Sequence, residues 1–159
     1  MNVRLGVLGI AIACIGLPGL AADSDLQTLF VERHDGTEVT LSLEELDALK
    51  QAAFSTTTIW TEGTIRFSGV PLWTILSHAG AEGTKLRLVA LNDCSIEMPV
   101  GDLEEAVPIV ATRMDGETMS IRDKGPYWVI YPYDEGSEYA TETNRSRSVW
   151  QLSRLVLIE

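Results

Sequence analysis

The stretch FSGVPLWTILSHAGA, residues 67 to 81, joins a short strand to a short helix, and its punctuation decides how the rest of the chain is read. Thr64 to Phe67 have the β-branched and aromatic content of a strand. Gly69-Val70-Pro71 reads as a turn that sets Pro71 at the first position of a helix, where its missing N–H costs nothing. The helix reaches about His78, and Gly80 closes it.

Upstream, LFVERHDGTEVTLS alternates around Asp35-Gly36, so residues 29 to 41 read as a β-hairpin. Ser42 N-caps a helix, with Glu45 completing a capping box and Leu43, Leu46 and Leu49 as its apolar stripe. That helix should end near Lys50, and FSTTTIW, residues 54 to 60, reads as a strand. Downstream, Lys85 to Leu91 and Cys94 to Val100 are two strands about an Asn92-Asp93 turn, followed by a short acidic helix over Asp102 to Glu105. Residues 108 to 113 form another strand before the Asp115-Gly116 hairpin turn, and Tyr127 to Tyr131 an apolar one entered through Gly125-Pro126. The last element is Trp150 to Ile158, in which Leu152, Val156 and Ile158 can share one face. Pro132 to Ser148 is long, polar and irregular, as a functional loop would be. Short elements of both kinds define an α+β class: a single domain with a mixed β-sheet and short helices.

The opening MNVRLGVLGIAIACIGLPGLAADSD has one cation, Arg4, an apolar run from Leu5 to Ile15, then the breakers Gly16, Pro18 and Gly19. That is the order of a secretory signal, and the small residues Gly19 and Ala21 predict cleavage after Ala21, with Ala22 the neighbouring choice. A membrane anchor would want about 20 uninterrupted apolar residues. A lipoprotein acylated at Cys14 would want a better residue than Ala11. Removing 21 of 159 residues leaves 138, enough for one domain, residues 22 to 159, in the periplasm or secreted, with no membrane insertion. The formal charge of −11 becomes −12 without Arg4 and disfavours nucleic acid and anionic lipid as partners. With Cys14 gone, Cys94 has no disulfide partner and is either buried and inert or an available thiol.

Five phrases in succession carry a resemblance: FSGVPLWTILSHAGA, LRLVALNDCSIEMPVGDL, IVATRMDGETMS, GPYWVIYPYD and SVWQLSRLVLIE. Over roughly residues 28 to 159 the chain resembles the molybdopterin-binding domain of the sulfite oxidase family. The resemblance implies a mixed α+β fold and, in the family, a cysteine thiolate that ligates molybdenum on the segment before Gly-Val-Pro-Leu. Here that segment is FSTTTIWTEG, without cysteine, and a hydroxyl such as that of Thr57 or Thr58 is a harder, less acidic ligand. The role does not carry over to Cys94, which lies in a later turn. Family members that carry the cofactor receive it in the cytoplasm and are exported folded through a twin-arginine signal, whereas this N-terminus has only Arg4.

Four candidate features remain. Asp134, Glu135, Glu138 and Glu142 could face a divalent cation, although their spacing matches no known cage and a solvated acidic loop is the plainer reading. Arg145 and Arg147, with Arg154, could form a basic patch for a phosphate or carboxylate, or pair with the acidic loop beside them. Of the large aromatic side chains, Trp60 and Tyr133 adjoin loops and are the two expected to be exposed and to line a ligand pocket. His34 and His78 lack the spacing of a zinc or haem site, and serine-nucleophile and phosphate-loop motifs are absent. The reading that follows is an exported, non-catalytic binding module for a small ligand or a periplasmic partner protein. Its ligand-binding residues are Trp60, Tyr133, Arg145 and Arg147, Cys94 is a candidate reactive thiol, and no cofactor is expected. The alternative is a molybdopterin-dependent oxidoreductase with an unrecognised metal ligand, and a structural partner of an exported enzyme or sensor is the third possibility.

Overall fold

The computed structural model describes residues 26 to 159; the expected signal peptide, its cleavage site and Cys14 lie outside the described residues. Among the described residues ten strands form two five-stranded sheets rather than the one expected. The first has the order β2-β1-β10-β5-β6, from Leu29–Glu32 (β1), Glu38–Leu41 (β2), Lys85–Ala90 (β5), Ser95–Pro99 (β6) and Leu152–Ile158 (β10). The second runs β3-β4-β7-β8, from Ala52–Thr57 (β3), Thr64–Pro71 (β4), Ile109–Met114 (β7) and Glu117–Thr118 (β8), with Trp128–Ile130 (β9) also on β7. Among the described residues, short helices α1 (Leu43–Asp47), α2 (Leu72–His78) and α3 (Glu142–Ser146) join the sheets in an α+β fold. β1 and β10 pair in parallel; the other pairings are antiparallel.

Local chemistry explains the turns. The β1–β2 hairpin closes at Gly36, with φ of 82°, while the Asp35 carboxylate accepts the Thr37 N–H at 2.9 Å and its hydroxyl at 2.7 Å. Ser42 and Glu45 form the full capping box of α1, which ends at Asp47, three residues short of expectation. The β5–β6 turn places Asp93, and the β7–β8 turn Asp115 and Gly116, at positive φ.

Further expectations are corrected. Gly69 to Pro71 continue strand β4 instead of turning, and Pro71 is the N-cap of α2, outside the helix. β3 starts at Ala52 and stops at Thr57, because residues 58 to 63 bend back toward β4. The acidic helix is a single 3₁₀ turn, Val100–Asp102, and the Pro132 to Ser148 loop contains both a 3₁₀ turn, Tyr133–Glu135, and α3. In β10 the buried residues are Leu152, Leu155 and Leu157, since an irregularity between Leu152 and Arg154 shifts the alternation by one residue.

In the second sheet β7, β9 and the end of β4 are buried on both faces and lack the alternation that the edge strand β3 keeps. Val70, Val110 and Val129 face the main core, shared with the helices and the first sheet, and Phe67, Ile109, Trp128 and Ile130 face a smaller core. Among the described residues no broad layer covers that second face. Trp60, Met119, Phe54 and Ile65 pack on it, and the rings of Trp60 and Trp150 meet Trp128.

Candidate functional site

The end of β3 and the loop after it meet the segment following β9 at a cleft of about 160 Å³. Its walls include Thr57, Thr58, Trp60, Tyr133, Asp134 and Arg145. Three of the four expected ligand-binding residues, from three separate parts of the chain, are therefore brought together. Arg147 is the one left out.

Asp134 holds the cleft in shape. Its carboxylate accepts the Thr57 N–H at 2.6 Å and the Thr57 hydroxyl at 2.8 Å, while its own N–H donates to the Thr56 hydroxyl at 3.1 Å. The bond from the Thr57 N–H, reinforced by the hydroxyl, holds the Asp134 carboxyl below its ordinary value of 3.8. A depressed carboxylate contributes stability above the unfolded pKa and loses it as pH falls through the folded one. Asp134→Asn should therefore melt below the wild type at pH 7. The gap should close as both are taken below about pH 3.8, and a gap that is constant from pH 7 to pH 2 in thermal melts would rule the latch out.

Tyr133 was expected to be exposed but is 8% accessible. Its hydroxyl donates to the Ser148 hydroxyl, which donates onward to the Asn144 carbonyl at 2.8 Å. Burial raises the phenol above its ordinary pKa, against the smaller opposing effect of Ser148. Trp60 is half-buried, edge-on to Trp128, Tyr133 and Trp150 at centroid distances of 5.9, 6.4 and 5.8 Å. The exposed tryptophans are instead Trp73 and Trp150, at 44% and 37%. Lys124 lies 4.2 Å from the Trp150 ring, a cation–π contact.

The three arginines do not form one patch. Arg145 pairs with Glu142 one helical turn away at 2.5 Å, Arg147 with Asp102 at 2.9 Å, and Arg154 with Glu32 and Glu38 on the first sheet. Arg147 ties the loop to the 3₁₀ turn and lies near the Tyr131 hydroxyl, which among the described residues meets no partner within hydrogen-bonding geometry; burial pushes its pKa up to about 12, against the opposing effect of Arg147. In the acidic loop, Asp134 and Glu142 are thus engaged in these contacts. Among the described residues no group of His, Cys, Asp or Glu is arranged to hold a metal ion. Cys94 is exposed in the β5–β6 turn, its N–H bonded to the Asn92 side chain at 3.2 Å, on the sheet that does not form the cleft. A wider open groove of about 760 Å³ runs beside Trp73 and His78 on α2, and nothing in the sequence pointed to it.

No family model matches the chain, and no curated protein matches it by sequence. Among solved structures, the sulfane dehydrogenase SoxCD from Paracoccus pantotrophus aligns over 84% of this chain at a TM-score of 0.64 and 17% identity. The two share a fold. The match covers 39% of the SoxCD chain, so this chain spans well under half of its neighbour's length. At that identity the likeness extends to architecture alone, and it agrees with the α+β fold that the resemblance implies.

The molybdopterin implied by the resemblance can be tested against the residues in place. The Thr57 hydroxyl is donated to Asp134, and that of Thr58 is paired with Thr61 at 2.8 Å. No thiolate lines the cleft, whose volume is below the roughly 300 Å³ at which pockets for larger ligands begin. The donor set is hard, small and already engaged, so these residues do not fit the group.

Proposed function

We propose that the domain is an exported binding module, working without turnover, whose cleft takes a small molecule bearing a carboxylate or comparable oxyanion. The gathering of Trp60, Tyr133 and Arg145 around one cleft carries this reading. The two rings supply apolar walls, and the Arg145 guanidinium supplies the fork that such a group accepts from. Glu142 stands in for the ligand: its side chain is 89% exposed, and a surface pair of this kind is held weakly enough to exchange. The cleft volume limits the occupant to a few heavy atoms. Export rests on the signal-like opening residues, and a periplasmic or secreted location follows from it.

The test is calorimetric and fluorescence titration of the purified protein with formate, acetate, lactate, sulfate and phosphate. At least one should bind, quenching tryptophan emission, and Arg145→Gln should weaken it at least tenfold, as loss of a charged hydrogen bond predicts. Binding unaffected by Arg145→Gln, or no binding across the panel, defeats the proposal. Stoichiometric molybdenum in native protein, lost on Cys94→Ser, would instead favour the oxidoreductase.

A further inference from the structure

Strand β3 is the outer edge of the second sheet, and its free side differs from the other edges of the molecule. Opposite Ser55, Arg66 turns both backbone groups toward β7: its N–H donates to the Asp115 carboxylate at 2.9 Å and its carbonyl accepts the Asp115 N–H at 2.8 Å. In an antiparallel ladder a residue opposite such a position also turns its backbone outward, so Ser55, and by alternation Ala53, present N–H and C=O away from the sheet. Thr57 would be next, but Asp134 already takes its N–H. Among the described residues no partner meets the outward groups of Ala53 and Ser55, and both residues are exposed.

The other edges carry features that prevent strand addition. β2 has the exposed Glu38, β6 has Glu97 and ends in Pro99, β8 has two residues, and β9 is covered where the Val129 N–H meets the Val149 carbonyl. The six residues of β3, Ala-Ala-Phe-Ser-Thr-Thr, include no charge and no proline.

We infer that this edge pairs with the same edge of a second copy, β3 against β3 in antiparallel register about a two-fold axis at Phe54. Ala53 of one copy then lies opposite Ser55 of the other, and the pairs exchange about four main-chain hydrogen bonds. The uncharged strand lets two acidic proteins meet here without like charges facing.

Sedimentation equilibrium of the purified protein over roughly 1 to 500 µM, the range for an interface of this small size, is the test. A monomer–dimer equilibrium should appear. Ala53→Lys and Ser55→Pro should each weaken it at least tenfold. Ala53 and Ser55 project from the sheet, so melting temperatures should hold; if Ser55→Pro melts early, Ala53→Lys alone decides. A protein monomeric throughout that range, or a dimer indifferent to Ala53→Lys, overturns the inference.

Discussion

Gly69→Ala should cost about 3 kcal/mol or more and lower the melting temperature by about 10 °C, as overpacking within a strand pair together with lost ladder bonds predicts. A Cβ at residue 69 would lie 2.0 Å from the Val110 carbonyl oxygen and 2.8 Å from the Ala111 Cα, both backbone atoms of β7. Neither can rotate away, so the strands must part where β4 already shifts register, between Ser68 and Gly69. Val70 and Pro71 follow at once, and both are buried. Parting the strands here therefore also disturbs the entry to α2. The measurement is urea and thermal denaturation by circular dichroism. A variant that melts within a degree or two of wild type would show that β7 yields more easily than a packed ladder should.

Trp128→Ala should be comparably severe, about 3 to 5 kcal/mol, in the range for deleting a buried large aromatic side chain. Trp128 is fully buried, and its ring stands edge-on to Phe67 at 5.5 Å, to Trp60 at 5.9 Å and to Trp150 at 6.3 Å. Its Nε1–H donates to the Ser148 carbonyl at 3.1 Å, in the same serine whose hydroxyl receives Tyr133. The substitution therefore removes the support behind Trp60 and unpairs a carbonyl beside Tyr133 in one step. Near-ultraviolet circular dichroism should lose much of its tryptophan signal, and binding at the cleft should fall with it. Trp128→Phe should be milder, retaining the ring contacts but not the bond to Ser148. Equal losses from the two variants would show that the indole N–H contributes little beyond the ring.

Elements coded by neighbouring residues were legible. The Asp35-Gly36 hairpin and the Ser42–Glu45 capping box each complete their chemistry within a few residues. The Gly-Val-Pro-Leu phrase was legible as punctuation, but for a different reason: the glycine is required by its neighbour across the sheet, which no local pattern records. The same holds for β10, whose irregularity moves burial from Val156 and Ile158 to Leu155 and Leu157. Trp60, Tyr133 and Arg145 could be singled out by residue type and by nearness to loops. Their convergence depends on Asp134 finding Thr57 across 77 residues, a pairing without sequence signature. The exposure of Tyr133 was misjudged because its place in a polar loop gives no hint of Ser148 beneath it. The exposure of Trp73 was missed because three of its helix neighbours, Leu72, Ile75 and Leu76, turn inward and leave it outside.

The parallel pairing of β1 with β10 sets Phe30 against Arg154, partners separated by 124 positions. β10 is the middle strand of its sheet, with β1 on one side and β5 on the other. During synthesis, the hairpin of β1 and β2 and that of β5 and β6 therefore wait as two unjoined halves until Leu152 to Ile158 emerge. Contacts of such long range are slow to form, and the apolar sides of Leu29, Val31, Leu86 and Leu88 stay uncovered in the interval. The interval of uncovered strands ends only when Leu152 to Ile158 slide between the two hairpins.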